Sequence, residues 1–189
     1  MAFQAIFMNA MNFFDLISFR HSVRAFKKDP VESEKLHKIL EASNSAPSAG
    51  NLQAYEVYLV TDPFHKSALA RAALEQEFIA TAPLVLIFCQ HAARSSRRYK
   101  ERGEFLYSLQ DATIACTFAM LAVTDLGLGT VWVGAFNDQE ISQVLQLPEG
   151  LRPVAMLPIG YPAESPGLTT RRGLTDLVHC VEPQDVRKE

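Results

Sequence analysis

Two guanidinium groups, an imidazole and a hydroxyl fall within the five residues Arg20, His21, Ser22, Val23 and Arg24. An arginine presents a planar fork of donors that matches phosphate oxygens. Each charge-assisted hydrogen bond contributes about 1.5 to 3 kcal/mol once partly desolvated. The run is a candidate anion site, and its plain alternative is a solvated turn with scattered basic residues. A second group, Ala46-Pro47-Ser48-Ala49-Gly50-Asn51-Leu52-Gln53, combines small residues that let backbone approach a ligand with amides and a hydroxyl able to bind polar ring edges. The same residue types also make an ordinary helix-to-strand turn. A third, Gly127-Leu128-Gly129-Thr130-Val131-Trp132-Val133-Gly134-Ala135-Phe136, sets the single tryptophan among glycines. It suits close approach to a flat ligand, or a helix C-cap followed by a core strand. It is not a dinucleotide fingerprint, and it lacks the Lys-Ser/Thr of a P-loop.

The elements that must position these groups can be read from periodicity. Phe13, Phe14, Ile17 and Phe19 predict a short amphipathic helix. Asp29 as an acidic N-cap, Pro30 at N1 and Glu32 at N3 open a second helix, with Leu36, Ile39 and Leu40 on its buried face and its end near Asn44. The aromatic and β-branched run 55–60 reads as a strand, and Pro63 to Leu74 has helical spacing. Pro83 to Cys89 is continuously apolar, as a central strand with both faces covered would be. Leu106 to Leu126 carries the longest helical pattern, apolar almost all round and so expected to be buried, with Gly127 and Gly129 as C-cap signals. Residues 130–136 read as extended, Asn137 with Glu140 as a capping box for a helix through Leu145, and Pro153 to Ile159 as another strand. The sum is an α+β or α/β layered domain, helices covering a sheet of four or five strands.

The bulk properties narrow the choice of partner. The 189 residues are 48% apolar and 21% charged, long enough for one buried core. Lys plus Arg number 18 against 21 Asp plus Glu, so a chain-wide basic field for nucleic acid or an anionic membrane is absent. Cys89, Cys116 and Cys180 lack metal-ligand spacing and are odd in number, which fits a reducing compartment. With no signal peptide and no sufficiently long apolar run, the expectation is a soluble, cytoplasmic chain whose residues 1–12 form a loosely held extension before a single domain at 13–189. His37, His65, His91 and His179 read as surface or packing residues. Arg97 with Glu101 and Lys100 with Glu104 have i,i+4 spacing, the mark of a solvated helical face, and the sharper alternative is a landing site for dinucleotide phosphates or an acidic substrate. Asp111, opening an apolar helix, reads as structural, either an N-cap or a pair across a dimer.

Taken in order, RHSVRAF from Arg20, APSAGNLQ from Ala46, QDATIA from Gln110, GLGTVWVGAF from Gly127, PIGYP from Pro158 and RRGLTDLVH from Arg171 resemble the FMN-dependent nitroreductase family. The resemblance covers most of the chain from Phe13 to His179. It implies an α+β sandwich with a central, mostly antiparallel sheet covered by helices, completed by homodimerisation, with FMN at the subunit interface. By matching position, Arg20, His21, Ser22 and Arg24 would hold the phosphate and ribityl end, joined by Arg171. Pro47, Ser48, Ala49 and Asn51 would approach from the partner chain with Gln53 nearby, and Trp132, Val133 and Gly134 would lie against the flavin, largely through backbone. The implied activity is hydride transfer from NADH or NADPH through FMN to nitroaromatic, quinone or related acceptors by a ping-pong route, with no catalytic acid or base assigned. Dehalogenation, flavin fragmentation and a non-catalytic flavin sensor or store remain as alternatives.

Overall fold

The computed structural model describes residues 12–165, 167 and 169–181. The N-terminal extension expected at 1–12 lies outside them except for Asn12, whose side chain caps the first helix by accepting from the backbone of Phe14 and Asp15. That helix, α1, is Phe13–Phe19, and α2 is Ser33–Asn44. β1 (Tyr55–Val60) is followed by α3 (Pro63–Ala72), capped by Asp62 with Pro63 at its start, and by the short α4 (Phe78–Thr81). Then come β2 (Leu84–His91), α5 (Ala92–Arg102), a π-helical turn (Gly103–Tyr107) and α6 (Ser108–Asp125). β3 (Gly129–Thr130), α7 (Asp138–Leu145) and β4 (Leu151–Gly160) complete the layers.

The four strands lie in the order β1-β2-β4-β3, every neighbouring pair antiparallel. β2 is buried along nearly its whole length because it is central and helices cover both faces, as its unbroken apolar run predicts. Strand alternation splits its side chains between two cores. Leu84, Leu86 and Phe88 pack with Ala155, Leu157 and Ile159 under α2 and α6, while Val85, Ile87 and Cys89 pack with Met156 under α3, α4 and α7. Cys89 and Cys116 sit inside these cores, where burial pushes the Cys89 thiol up to about 12 and Cys116 well above its ordinary range. Both are packing residues rather than nucleophiles.

The local signals hold at the ends of two helices. After α6, Gly127 takes a φ of +72°, its N–H bonds to the Thr124 carbonyl and the Leu128 N–H to that of Val123, the paired bonds of a Schellman motif. Gly129 serves a different purpose: a Cβ there would lie 2.8 Å from the Val23 side chain, so its smallness admits the chain that follows α1. Asn137 caps α7 as expected, but the return bond of a capping box does not form: Glu140 accepts from the Asn137 side-chain amide, while the Asn137 backbone N–H donates to the Ala72 carbonyl at 2.9 Å.

Three expectations fail. The second helix starts at Ser33 rather than near Pro30, and Glu32 provides no side-chain cap. Its carboxylate instead accepts the Tyr161 hydroxyl at 2.7 and 2.9 Å, which together with Lys35 holds it below the usual carboxylate range. The pairs Arg97 with Glu101 and Lys100 with Glu104 do not form, because Lys100 (φ 53°, ψ −139°) breaks the helix between them. The long helix is not buried all round. Its Asp111, Ala112, Ala115, Cys116, Ala119 and Val123 face the core, while Leu109, Thr117 and Phe118 are exposed beside α1, whose Phe13 and Phe14 are exposed too. Residues 92–125 also form one helical stretch of 34 residues that would be long and apolar enough to cross a membrane by length and composition, although no run in the sequence had suggested it. Here it is the core helix of the sandwich, kinked at Lys100 and anchored by a buried carboxylate, Asp111.

Candidate cofactor site

α1 ends at Phe19, and the chain leaves in an extended conformation that brings residues 20–24 alongside β3. Ser22 bridges Thr130 in parallel, the Val23 N–H donates to the Thr130 carbonyl at 3.0 Å, and the Val23 side chain is buried against Gly129. Alternation in an extended chain then places Arg20, Ser22 and Arg24 on the side opposite Val23. The next residues pair with the segment after β4: Lys27 N–H to the Tyr161 carbonyl and Ala163 N–H to that of Ala25, both 2.8 Å. Glu164 completes the clamp, its carboxylate accepting from the backbone N–H groups of Arg24 and Ala25.

A cavity of about 470 Å³ results, walled by Arg20, His21, Ser22 and Arg24 on one side and by Glu164, Gly167, Thr169 and Arg171 on the other. The structure therefore brings Arg171 to the RHSVR run across 147 residues of chain. Three guanidinium groups face one carboxylate whose charge is already answered by two backbone donors. The surplus is positive, and the donor set of guanidinium forks, imidazole and hydroxyl fits a phosphate monoester. Glu164 and Thr169 were missed by sequence reasoning. Nothing in a lone carboxylate after a Pro-Ala turn signals that it will accept from backbone 140 residues upstream.

The loop of residues 46–53 is placed elsewhere, and none of its residues lines that cavity. Ala46 is buried, Pro47 exposed, and Ala49 to Asn51 make a single 3₁₀ turn. Gly50, Asn51 and Gln53 all have positive φ, +58°, +57° and +42°. A left-handed Gln is unusual, and the bonds around it explain how it persists. Ser48 Oγ accepts from the Gln53 backbone N–H at 3.0 Å, and Gln53 Nε2 donates to the Asn51 carbonyl at 2.7 Å and to its side-chain oxygen. From below, Asp111, only 2% exposed, accepts from Ala49 N–H at 2.9 Å and Ala54 N–H at 3.1 Å. Asp111 is structural as expected, but it does not cap α6: it staples both ends of the loop. Arg94, the first cation of the basic segment 94–102, is not on a solvated face: it donates to the Gln53 carbonyl at 2.6 Å and the Tyr55 carbonyl at 3.2 Å and pairs with Glu56.

In the third group, Trp132 is half-buried against the α2 and α6 core, two residues after Thr130, the bridge partner of Ser22. Val133 departs from expectation: it is 2% exposed and exchanges both backbone bonds with Met156 (3.0 and 2.9 Å), so neither its side chain nor its backbone groups are free for a ligand. Gly134 is exposed, and a Cβ on it would stand 3.1 Å from Trp132 Nε1. Trp132 and Gly134 are what this strand offers to a flat ligand.

Comparison with known proteins agrees with this arrangement. The profile of the Nitroreductase family matches residues 17–77 and 63–161. An FMN reductase [NAD(P)H] of Bacillus subtilis is 36% identical over 156 residues, 76% of this chain and 63% of that protein, so the chain spans less than two thirds of that relative's length. An NADH dehydrogenase of Thermus thermophilus is 31% identical over 172 residues, 77% of this chain and 84% of that one. Among solved structures, NADPH:FMN oxidoreductase from Vibrio harveyi complexed with NAD+ superposes with a TM-score of 0.82 at 25% identity, covering 92% of this chain and 79% of its own. The B. megaterium NfrA2 structure superposes with a TM-score of 0.84 at 29% identity, over 94% and 78%. With its antiparallel sheet between two helical layers and its arginine-lined cavity beside β3, the chain belongs to the Nitroreductase family.

Proposed function

We propose that the chain is the protomer of a cytoplasmic, homodimeric NAD(P)H-dependent flavoenzyme that binds FMN and passes a hydride's two electrons to nitroaromatic, quinone or related acceptors in alternating half-reactions. The observation that carries this reading is the convergence of Arg20, Arg24 and Arg171 with His21 and Ser22 on one cavity, with Ser22 bridged to Thr130 two residues before Trp132. When bound, FMN supplies the two-electron acceptance and donation that no side chain here could. Arg20, Arg24 and Arg171 would neutralise its phosphate, and Ser22 and His21 would add directional hydrogen bonds. Glu164 acts at one remove, holding the Arg24 and Ala25 backbone so that the guanidinium groups start from a fixed base. The 46–53 loop, displaced from the cavity of its own chain, would serve the partner's site.

Two features support the dimer. Phe13 and Phe14 of α1 and Leu109 and Phe118 of α6, two helices in contact, are all exposed apolar side chains, with Phe14 73% exposed. Leu174, Leu177 and Val178 in the C-terminal segment are also exposed, as expected of a tail that packs on another copy.

Purified protein should be yellow and release FMN on heating. Under anaerobic conditions NADPH or NADH should bleach it, and a nitro compound or quinone should restore the colour. Recovery of FAD, or a flavin that neither donor bleaches, would leave at most a binding protein.

A further inference from the structure

Five cations lie between residues 94 and 102, Arg94, Arg97, Arg98, Lys100 and Arg102, against the single carboxylate of Glu101, in a chain of formal charge −3. Arg94 is engaged with Glu56 and two carbonyls, Arg102 with the Tyr107 hydroxyl at 2.9 Å and its ring face, and Arg98 only with the ring face of Tyr99, which leaves its donors free. Arg97, Arg98 and Lys100 have no ion pair among the described residues, although Glu101 and Glu104 stand at helical spacing from two of them. The backbone break at Lys100 separates those partners, and a non-glycine residue held at φ +53° is the kind of strain that functional sites retain. Just before the break, Arg98 and Tyr99 lie against Gly50 of the 46–53 loop. A Cβ on Gly50 would fall 2.9 Å from the Arg98 guanidinium and 2.4 Å from the Tyr99 hydroxyl.

We infer that Arg97, Arg98 and Lys100 form a phosphomonoester site that receives the 2′-phosphate of NADPH, so that the chain selects NADPH over NADH. The inference rests on the flavin chemistry proposed above, which brings this loop, Arg98 lying on it and Arg97 and Lys100 near Arg98 in the chain, to the edge of a flavin site. NADPH differs from NADH by one phosphomonoester carrying about −1.5 to −2 charge at neutral pH. Unpaired guanidinium forks beside an ammonium group distinguish the two donors, because NADH has no group to answer them.

Calorimetric titration of FMN-loaded protein with adenosine 2′,5′-bisphosphate and with adenosine 5′-monophosphate reads the site directly. The bisphosphate should bind at least tenfold tighter. Arg97→Gln, Arg98→Gln and Lys100→Gln should each weaken it about tenfold, the scale of one charged hydrogen bond, and lower the NADPH:NADH ratio of kcat/KM to match. Arg152→Gln removes an exposed cation on the far side of the sheet, paired with Asp138, and should change neither reading. Equal affinity for the two probes, or losses shared equally by both, would overturn the assignment. Failure of both donors to bleach the flavin would sink the functional proposal instead, and the bisphosphate titration would still decide the phosphate site.

Discussion

Arg20→Ala is expected to weaken FMN binding ten- to a hundredfold, about 1.5 to 3 kcal/mol, because it removes a charged donor to the phosphate. Arg20 and Arg171 line the same cavity from opposite ends of the chain. Arg20→Ala/Arg171→Ala should therefore lose more than either single change but less than their sum, since the remaining Arg24 and the ion atmosphere redistribute around one shared anion. Fluorescence titration of apoprotein measures all three affinities. A single variant that binds as tightly as the parent would mean that Arg20 faces solvent and that the cavity is not the phosphate end. The prediction also separates charge from packing: Arg20→Lys keeps the charge but not the fork, and should recover only part of the loss.

Asp111→Ala should cost about 2 to 5 kcal/mol of stability, because it strands the Ala49 and Ala54 N–H groups beneath the loop, each unpaired buried donor costing about 1 to 3 kcal/mol. Asp111→Asn keeps one acceptor oxygen but turns an amide NH₂ toward the second N–H, so it should lose an intermediate amount. Urea denaturation measures both. If Asp111→Ala unfolds at the parent's midpoint, Asp111 does not hold the loop. The same substitution frees a turn whose positive-φ residues Gly50, Asn51 and Gln53 depend on those bonds, so FMN affinity should fall with stability.

Signals confined to a few neighbouring residues proved legible in the sequence. The Asn137 cap of α7, the Gly127 helix end and the unbroken apolar run of β2 each depend on backbone geometry within one element. What escaped depends on distant parts of the chain. Glu32 caps nothing because Tyr161, 129 residues later, claims its carboxylate. Glu164 cannot be distinguished from a solvated acid until its backbone donors at Arg24 and Ala25 are in place. The charge pairs across Lys100 looked sound because spacing assumes a continuous helix, whereas Gly103 lets the chain press so close to the Ser95 carbonyl that a Cβ would stand 2.5 Å away. For the site, the RHSVR run and Arg171 converge as the family resemblance implied. Val133 shows the limit of transferring a motif residue by residue, since its bonds to Met156 leave it nothing to offer.

The proposed dimer builds each FMN site from two chains, the cationic cavity of one and the 46–53 loop of the other. It is tested most directly by refolding two variants together, one carrying Arg20→Ala/Arg171→Ala and the other Ser48→Ala/Asn51→Ala. Each alone should bind FMN weakly. In a mixed dimer one site collects both lesions and the other collects none, so random pairing should restore high-affinity binding at about a quarter of the wild-type sites. Recovery of that fraction, measured by FMN fluorescence titration after co-refolding, is the predicted result. No recovery, or full-affinity binding by the loop variant on its own, would contradict a site built from two chains.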